Sequence, residues 1–287
     1  MKIAVVSGKG GSGKSSVSAA FVDLSHRVVA VDCDVDASNL PLLFESQVQS
    51  HERFASGEAI TVNPHLCVGC GICVSKCAFH ALVLSMKGYV QPKDYLCEGC
   101  GLCVRLCPHH ALKLVPEENS DIFTGSLSQG ILVHGRLNPG DDNSGKMIAK
   151  MRDIADSVME QQQIPLQILD GPPGIGCPVL STVTGMDRVV LVTEPTLSGF
   201  SDLQRVYKIA SSFCKTVSVI INKCDLNTEN RTSILDFCQQ NHLPVIAELP
   251  FDRIMVEAQL HSQSIVAFAP ESVCAKVLKD AYAKLVG

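Results

Sequence analysis

The chain has 287 residues, 46% of them hydrophobic and 18% charged, with a net charge of −5. That length holds one large domain or two ordinary ones around a sizeable core, and the composition excludes a disordered chain. The charge balance gives no case for a nucleic-acid binder built on bulk positive charge, and no apolar run approaches the roughly eighteen residues of a spanning helix.

Lys2–Val6 reads as a short buried strand ended by Gly8, residues 14–25 as a helix, and Val28–Asp32 as an apolar strand ending on a carboxylate. Strand, helix and strand within about 30 residues form a βαβ unit and imply a parallel sheet. The stretch Met1–Ser7 is too short for a signal peptide and runs straight into a glycine loop, so a cytoplasmic chain is expected. Near residue 60 the pattern breaks. Residues 61–115 are short turns, glycines and cysteines with five Lys/Arg against two Asp/Glu, a net +3 that leaves −8 for the rest of the chain. Such a charge step marks a separate module. The α/β alternation then resumes, with strands expected at Gly130–His134, Leu166–Leu169, Arg188–Thr193, Val217–Asn222 and Pro244–Glu248. Helices are expected at Gly145–Gln161, Ser201–Phe213 and Ser272–Leu285. The expected fold class is therefore α/β, a doubly wound, mostly parallel sheet over 1–60 and 116–287, interrupted by a small module over 61–115.

Gly8, Lys9, Gly10, Gly11, Ser12, Gly13, Lys14 and Ser15 spell G-x4-G-K-[ST] between a strand and a helix. Glycines let backbone amides face phosphate oxygens, and the helix N-terminus adds positive dipole, with Ser16 in its first turn. Lys14 would neutralise β/γ-phosphate charge and Ser15 would ligate Mg²⁺. Gly8, Gly10 and Gly13 also fit the dinucleotide pattern G-x-G-x-x-G, with Asp32 at about the ribose-binding distance, but Lys14 and Ser15 argue for the phosphate loop. Asp170 closes a strand, where a carboxylate can hold Mg²⁺ or its water shell. Asn222-Lys223-Cys224-Asp225 follows a strand and fits N-K-x-D, in which asparagine and aspartate read a purine base.

With Lys9 inside it, the loop resembles the deviant Walker A motif of the MinD/ParA/nitrogenase iron-protein family. In that family the early lysine reaches the nucleotide of the partner subunit, so the resemblance implies an ATP-dependent homodimer. Val31–Leu40 is similar to the family's first switch, which implies that Asp34 orients the attacking water and that Asp32 lies near Mg²⁺. Asp170-Gly171-Pro172-Pro173-Gly174 is similar to the second switch, which implies a γ-phosphate contact at Gly174. The resemblance favours adenine over guanine, with Asn222 contacting the ring.

Of fourteen cysteines, eight fall between Cys67 and Cys107. Clustered thiols in a cytosolic chain point to metal rather than disulfides. Cys67, Cys70, Cys73 and Cys77 are repeated 30 residues later as Cys97, Cys100, Cys103 and Cys107. Three thiolates at i, i+3 and i+6 wrap one corner of a cubane, whereas zinc ribbons offer pairs of cysteines. The module resembles the bacterial two-cluster ferredoxin, in which the fourth cysteine of each half ligates the other cluster. One [4Fe-4S] cluster would take Cys67, Cys70, Cys73 and Cys107, and the other Cys97, Cys100, Cys103 and Cys77. Cys33, Cys214, Cys224, Cys238 and Cys274 read as core filler. Cys177 follows the second-switch aspartate by seven residues, as a cluster-ligating cysteine does in the nitrogenase iron protein, which makes it a candidate extra ligand.

The reading is thus an ATPase with a ferredoxin insert that couples ATP binding and hydrolysis to electron transfer with a partner protein. Two alternatives stay open: a cluster scaffold or carrier serving an apo-protein, and a redox-sensing positioning module. The C-terminal helix lacks the dense basic face of a membrane anchor and is expected to pack on the sheet.

Overall fold

The computed structural model describes residues 1–55, 57–93, 95–118, 120–137 and 144–287. Among these the strands are β1 (Lys2–Ser7), β2 (Val28–Asp32), β3 (Gln47–Phe54), β4 (Gly57–Val62), β5 (Leu82–Leu84), β6 (Val90–Pro92), β7 (Leu112–Glu117), β8 (Ser120–Leu127), β9 (Gly130–Arg136), β10 (Leu166–Pro173), β11 (Arg188–Thr193), β12 (Val217–Asn222) and β13 (Val245–Leu249). The helices are α1 (Lys14–Asp23), α2 (Leu40–Leu43), α3 (Ile72–Lys76), α4 (Leu102–Leu106), α5 (Ser144–Gln162), α6 (Cys177–Val183), α7 (Leu197–Phe213), α8 (Thr228–Gln240), α9 (Arg253–Leu260), α10 (Ile265–Phe268) and α11 (Val273–Val286).

The chain forms two compact units. The first comprises Met1–Glu52, Ile122–Arg136 and Ser144–Gly287, and the second is built on Arg53–Asp121. The first holds a sheet ordered β13-β12-β11-β1-β10-β2-β9-β8-β3. The pairs from β13 through β9 are parallel. Continuous apolar runs such as Ile3–Val6 and Val28–Val31 are wholly buried because helices cover both faces, as a parallel sheet requires. The register sets Val5 beside Asp170 and Asp170 beside Asp32. Two carboxylates and the loop after β1 therefore meet at one end of the central strands, where open α/β sheets bind ligands. Helix α1 buries Val17 and Ala19–Val22; the fully buried Phe21 ring contributes roughly 1.5–3 kcal/mol over an exposed one. Helix α11 buries Cys274, Ala275, Leu278, Ala281 and Leu285 in the same core, so the C-terminal helix packs on the sheet. No helix of the described residues is long and apolar enough to cross a membrane.

Several elements depart from the sequence expectation. Helix α1 stops at Asp23, β10 runs on through Pro173, and α7 begins four residues early because the Thr196 side chain accepts from the Gly199 amide and caps it. In the second unit, β4 and β7 pair antiparallel from Gly57↔Glu117 to Val62↔Leu112. The expected module limits, at 60/61 and 115/116, fall inside these two strands. The small core comprises Ile60, Leu82, Val90 and Leu112 with Cys73, and Cys67, Cys97, Cys103 and Cys107 pack against it. Asp94, one of the two acids counted in 61–115, lies outside the described residues.

Candidate functional site

The loop from Lys9 to Ser16 lines a cavity of about 340 Å³ together with Asp34, Asn39, Pro173 and Gln259, large enough for a small ligand. Gly13 caps α1 at φ +90°, and a Cβ there would stand 2.2 Å from Asn222 Nδ2. That amide donates to the Ser12 carbonyl at 2.9 Å, so loop and β12 are tied together through a position that admits only glycine. The Ser12 hydroxyl is buried with no hydrogen-bond partner. Ser16 Oγ accepts from Gln259 Nε2 at 2.6 Å.

Lys14 is 6% exposed and lies 3.0 Å from Asp170 Oδ1 and 3.9 Å from Asp34 Oδ2. Burial opposes its ammonium, but Asp170, Asp34 and Asp32 outweigh burial and hold its pKa above the ordinary value. Ser18 Oγ donates to the same Asp170 oxygen at 2.8 Å. The other oxygen, Asp170 Oδ2, is buried and has no hydrogen-bond partner. Lys14 faces three carboxyl groups, of which Asp32 is pushed up to about 7 by burial and by Asp170 beside it, and a hard dication with oxygen ligands fits the orphaned Asp170 oxygen. Asp32 has its oxygens engaged: Oδ2 accepts from Ser38 Oγ at 2.7 Å, Asn39 N at 2.8 Å and Leu40 N at 2.9 Å, and Oδ1 accepts from Asp34 N at 3.1 Å. Its carboxylate thus folds the 34–40 loop and sets Asp34 at the cavity. Gly174, at φ +99°, keeps open space where a side chain would project.

A second cavity of about 180 Å³ shares Gly11, Gly13, Ser16 and Gln259 with the first and continues to Asn222, Pro250, Phe251 and Met255. Of the N-K-x-D stretch, Asn222 and Lys223 line it and Asp225 does not, and both Asn222 and Asp225 have internal partners. Asn222 Oδ1 accepts from Lys223 N at 3.0 Å, and Asp225 Oδ1 accepts from Phe251 N at 2.7 Å. Two residues that sequence reasoning did not single out complete the loop's surroundings. Gln259 borders both cavities, and Glu194, just past β11, contacts Lys9 at 2.6 Å and Lys223 at 2.9 Å. Both are far from the loop in the chain, which leaves no local signal in the sequence.

In the second unit the two cysteine runs repeat as geometry. Residues 30 apart share their backbone: Gly69 and Gly99 at φ 68° and 61°, Gly71 and Gly101 at 75° and 71°, His80 and His110 at 54° and 50°. The amides of Ala81 and Ala111 each donate 3.4 Å to Cys77 and Cys107 sulfur, and Val90 N donates to Cys67 sulfur at the same distance. The His80 and His110 backbones thus serve the turn that aims these amides. Cys73, Cys77, Cys97, Cys100 and Cys103 line one apolar cavity, so it draws on ligands expected for both clusters. Burial raises the Cys73 thiol, and the neighbouring Cys107 and Cys67 add to the rise; burial raises Cys103 likewise, with Cys97 and Cys100 beside it. Cys70 and Cys100 are exposed. Among the described residues no three His, Cys, Asp or Glu side chains stand close enough to hold a single metal ion. The donor set suits a larger group: thiols of both halves, amides aimed at sulfur and a thin apolar core.

The remaining thiols divide cleanly. Cys33, Cys214, Cys238 and Cys274 are buried and Cys224 is half-buried. Burial pushes Cys238 and Cys274 up to about 11, values of inert thiols. Cys177 is exposed at the start of α6.

The CobQ/CobB/MinD/ParA nucleotide binding domain matches residues 3–265 of the chain. The chain is similar to the protein MJ0578 of Methanocaldococcus jannaschii, 33% identical over 288 residues that cover 99% of this chain and 96% of the relative. It is also similar to the ATP-binding protein MJ0547 of the same organism, 22% identical over 296 residues, with 99% and 87% covered. Among solved structures it is similar in fold to the septum site-determining protein MinD of Pyrococcus horikoshii complexed with Mg-ADP. The TM-score is 0.59 at 16% identity, covering 100% of this chain and 96% of that one.

Proposed function

Because the chain belongs to the CobQ/CobB/MinD/ParA nucleotide-binding family, we propose that it is a dimer-forming ATPase. In this reading it carries two [4Fe-4S] clusters in residues 61–115 and couples ATP turnover to electron transfer with a partner protein. Its fold is that of an α/β P-loop ATPase with a mostly parallel sheet. In this reading the Gly8–Ser16 loop cradles the phosphates, Lys14 leaves its carboxylates to neutralise the β/γ-phosphates, and Ser15 and Asp170 hold Mg²⁺. Asp34 orients the attacking water, Asp32 holds the loop that carries it, Gly174 meets the γ-phosphate, and Lys9 reaches the nucleotide of the partner subunit. The second cavity takes the base, with Asn222 and Asp225 shaping it from behind. An adenine is favoured by the ATP-binding relative MJ0547 and by the Mg-ADP of the Pyrococcus protein.

The observation that carries the iron–sulfur reading is the duplicated backbone of residues 67–81 and 97–111, each half aiming an amide at its fourth cysteine. Cys67, Cys70, Cys73 and Cys107 would hold one cluster and Cys97, Cys100, Cys103 and Cys77 the other, supplying one-electron chemistry when bound. The residues themselves keep Cys73 buried and Cys67, Cys77, Cys97, Cys103 and Cys107 half-buried, shape the apolar cavity and direct amides at sulfur. Iron and sulfide analysis of the chain purified without oxygen tests this: about eight of each per chain supports it, and zinc or no metal overturns it.

The exposed Cys177 favours a second reading, a carrier that holds a further cluster between two subunits and delivers it to an apo-protein. Iron above about eight atoms per chain, lost in Cys177→Ala and transferable to an apo-ferredoxin, would select that reading over electron transfer.

A further inference from the structure

The Lys9 ammonium has three donors, and all three are used within its own chain. It lies 2.6 Å from Glu194 Oε1, 3.1 Å from Thr196 Oγ1 and 3.1 Å from Ser198 Oγ. An ammonium so saturated has nothing left for a phosphate. Glu194 is itself 9% exposed, and its second oxygen accepts from Lys223 Nζ at 2.9 Å. Lys223 also donates to the Gly11 carbonyl at 3.1 Å, from a backbone held at φ +53°. One carboxylate at the end of β11 therefore holds the first lysine of the phosphate loop directly and the middle of the loop through a second lysine.

Glu194 is not a phosphate ligand: it is an anion and points its charge at the two cations that border the nucleotide cavity. It occupies the coordination that a phosphate oxygen would offer Lys9, with the same sign of charge and the same acceptor chemistry. Moving Lys9 from this carboxylate to a phosphate exchanges one charge-assisted pair for another, so the step is cheap in one direction only when the phosphate is present. The hydroxyls of Thr196 and Ser198 fix the geometry of the held state, and Thr196 is itself anchored as the cap of α7.

We propose that Glu194, with Thr196 and Ser198, is a latch that holds Lys9 inside its own subunit until a nucleotide phosphate displaces the carboxylate. This rests on the reading of Lys9 as a nucleotide-contacting residue, and it assigns Glu194 as a positioning residue. It makes the released lysine, rather than loop folding, the step that nucleotide binding controls.

The test titrates the full chain, purified without oxygen, with Mg²⁺ and a non-hydrolysable ATP analogue. Binding of the analogue and the sedimentation of the protein are followed on the same samples. Glu194→Gln removes the latch charge and is expected to lower the midpoint of both transitions roughly fivefold. Ser198→Ala leaves every charge in place and is expected to move the midpoints the same way, by about twofold. Lys223→Met cuts the link to Gly11 but spares the Lys9 contact, and no such gain is expected from it. A midpoint unchanged or raised in both Glu194→Gln and Ser198→Ala overturns the latch, as does an equal gain in Lys223→Met. If the wild-type chain binds the analogue and stays monomeric, the dimer reading fails. The latch is then decided by the binding midpoints alone, which fall in Glu194→Gln if it exists and do not if it does not.

Discussion

Gly13 offers the sharpest test of how the loop is held. Replacing it with alanine asks an L-residue to adopt φ +90°, which costs about 1–2 kcal/mol. It also places Cβ 2.2 Å from Asn222 Nδ2, so the amide must swing away from the buried Ser12 carbonyl. An unpartnered buried carbonyl adds about 1–3 kcal/mol. Gly13→Ala should therefore lose about 2–5 kcal/mol. Gly11 provides the control: its φ is +78°, yet a Cβ there would meet nothing within 4 Å, so Gly11→Ala should lose only the backbone part. Urea unfolding followed by circular dichroism measures both, and the midpoint of Gly13→Ala should fall well below that of Gly11→Ala at similar slope. Equal midpoints would refute the argument that Asn222 packs against this glycine.

Three further outcomes follow from particular contacts. Asp225→Ala removes the acceptor of the Phe251 amide and should cost about 1–2 kcal/mol while the preference for ATP over GTP in competition binding stays unchanged; a switch in base preference would contradict this. Burial alone would raise the Glu194 carboxyl, but Lys9 and Lys223 outweigh it and hold its pKa below the ordinary value of 4.5. A depressed carboxylate contributes stability above its unfolded value and loses it as pH falls through the folded one, so the stability gap between wild type and Glu194→Gln should be full at pH 7 and vanish in acid below that value. Stripping metal with a chelator under reducing conditions should accelerate proteolysis within Arg53–Asp121 by about tenfold or more, because so few apolar side chains remain to hold that unit, while the sheet unit stays protected.

The βαβ start, the phosphate loop and most central strands were legible because each is local: an apolar run, a glycine pattern and a helix period sit within a few residues. The edge strand Gln47–Phe54 was not, since its side chains are exposed along nearly its whole length and no alternation marks it. The β4/β7 pair was missed for a related reason, as it joins segments 50 or more residues apart on either side of the cysteines. The spacing of eight cysteines was readable as a motif, but the repeated left-handed backbones at His80 and His110 were not. Asn222 and Asp225 matched a base-reading pattern, whereas their hydrogen bonds to Ser12 and Phe251 depend on distant parts of the fold. Glu194 carried no sequence signal at all, because its meaning comes from two lysines brought to it by the sheet.

The central claim is that nucleotide and cluster communicate within one protein. The most direct measurement is the reduction midpoint and electron paramagnetic resonance spectrum of the full chain, purified without oxygen, with and without Mg²⁺ and a non-hydrolysable ATP analogue. The account predicts a nucleotide-dependent change in midpoint or line shape in the wild type that disappears in Lys14→Ala. Clusters whose spectra and midpoints are identical with and without nucleotide, in a chain shown to bind the analogue, would contradict it.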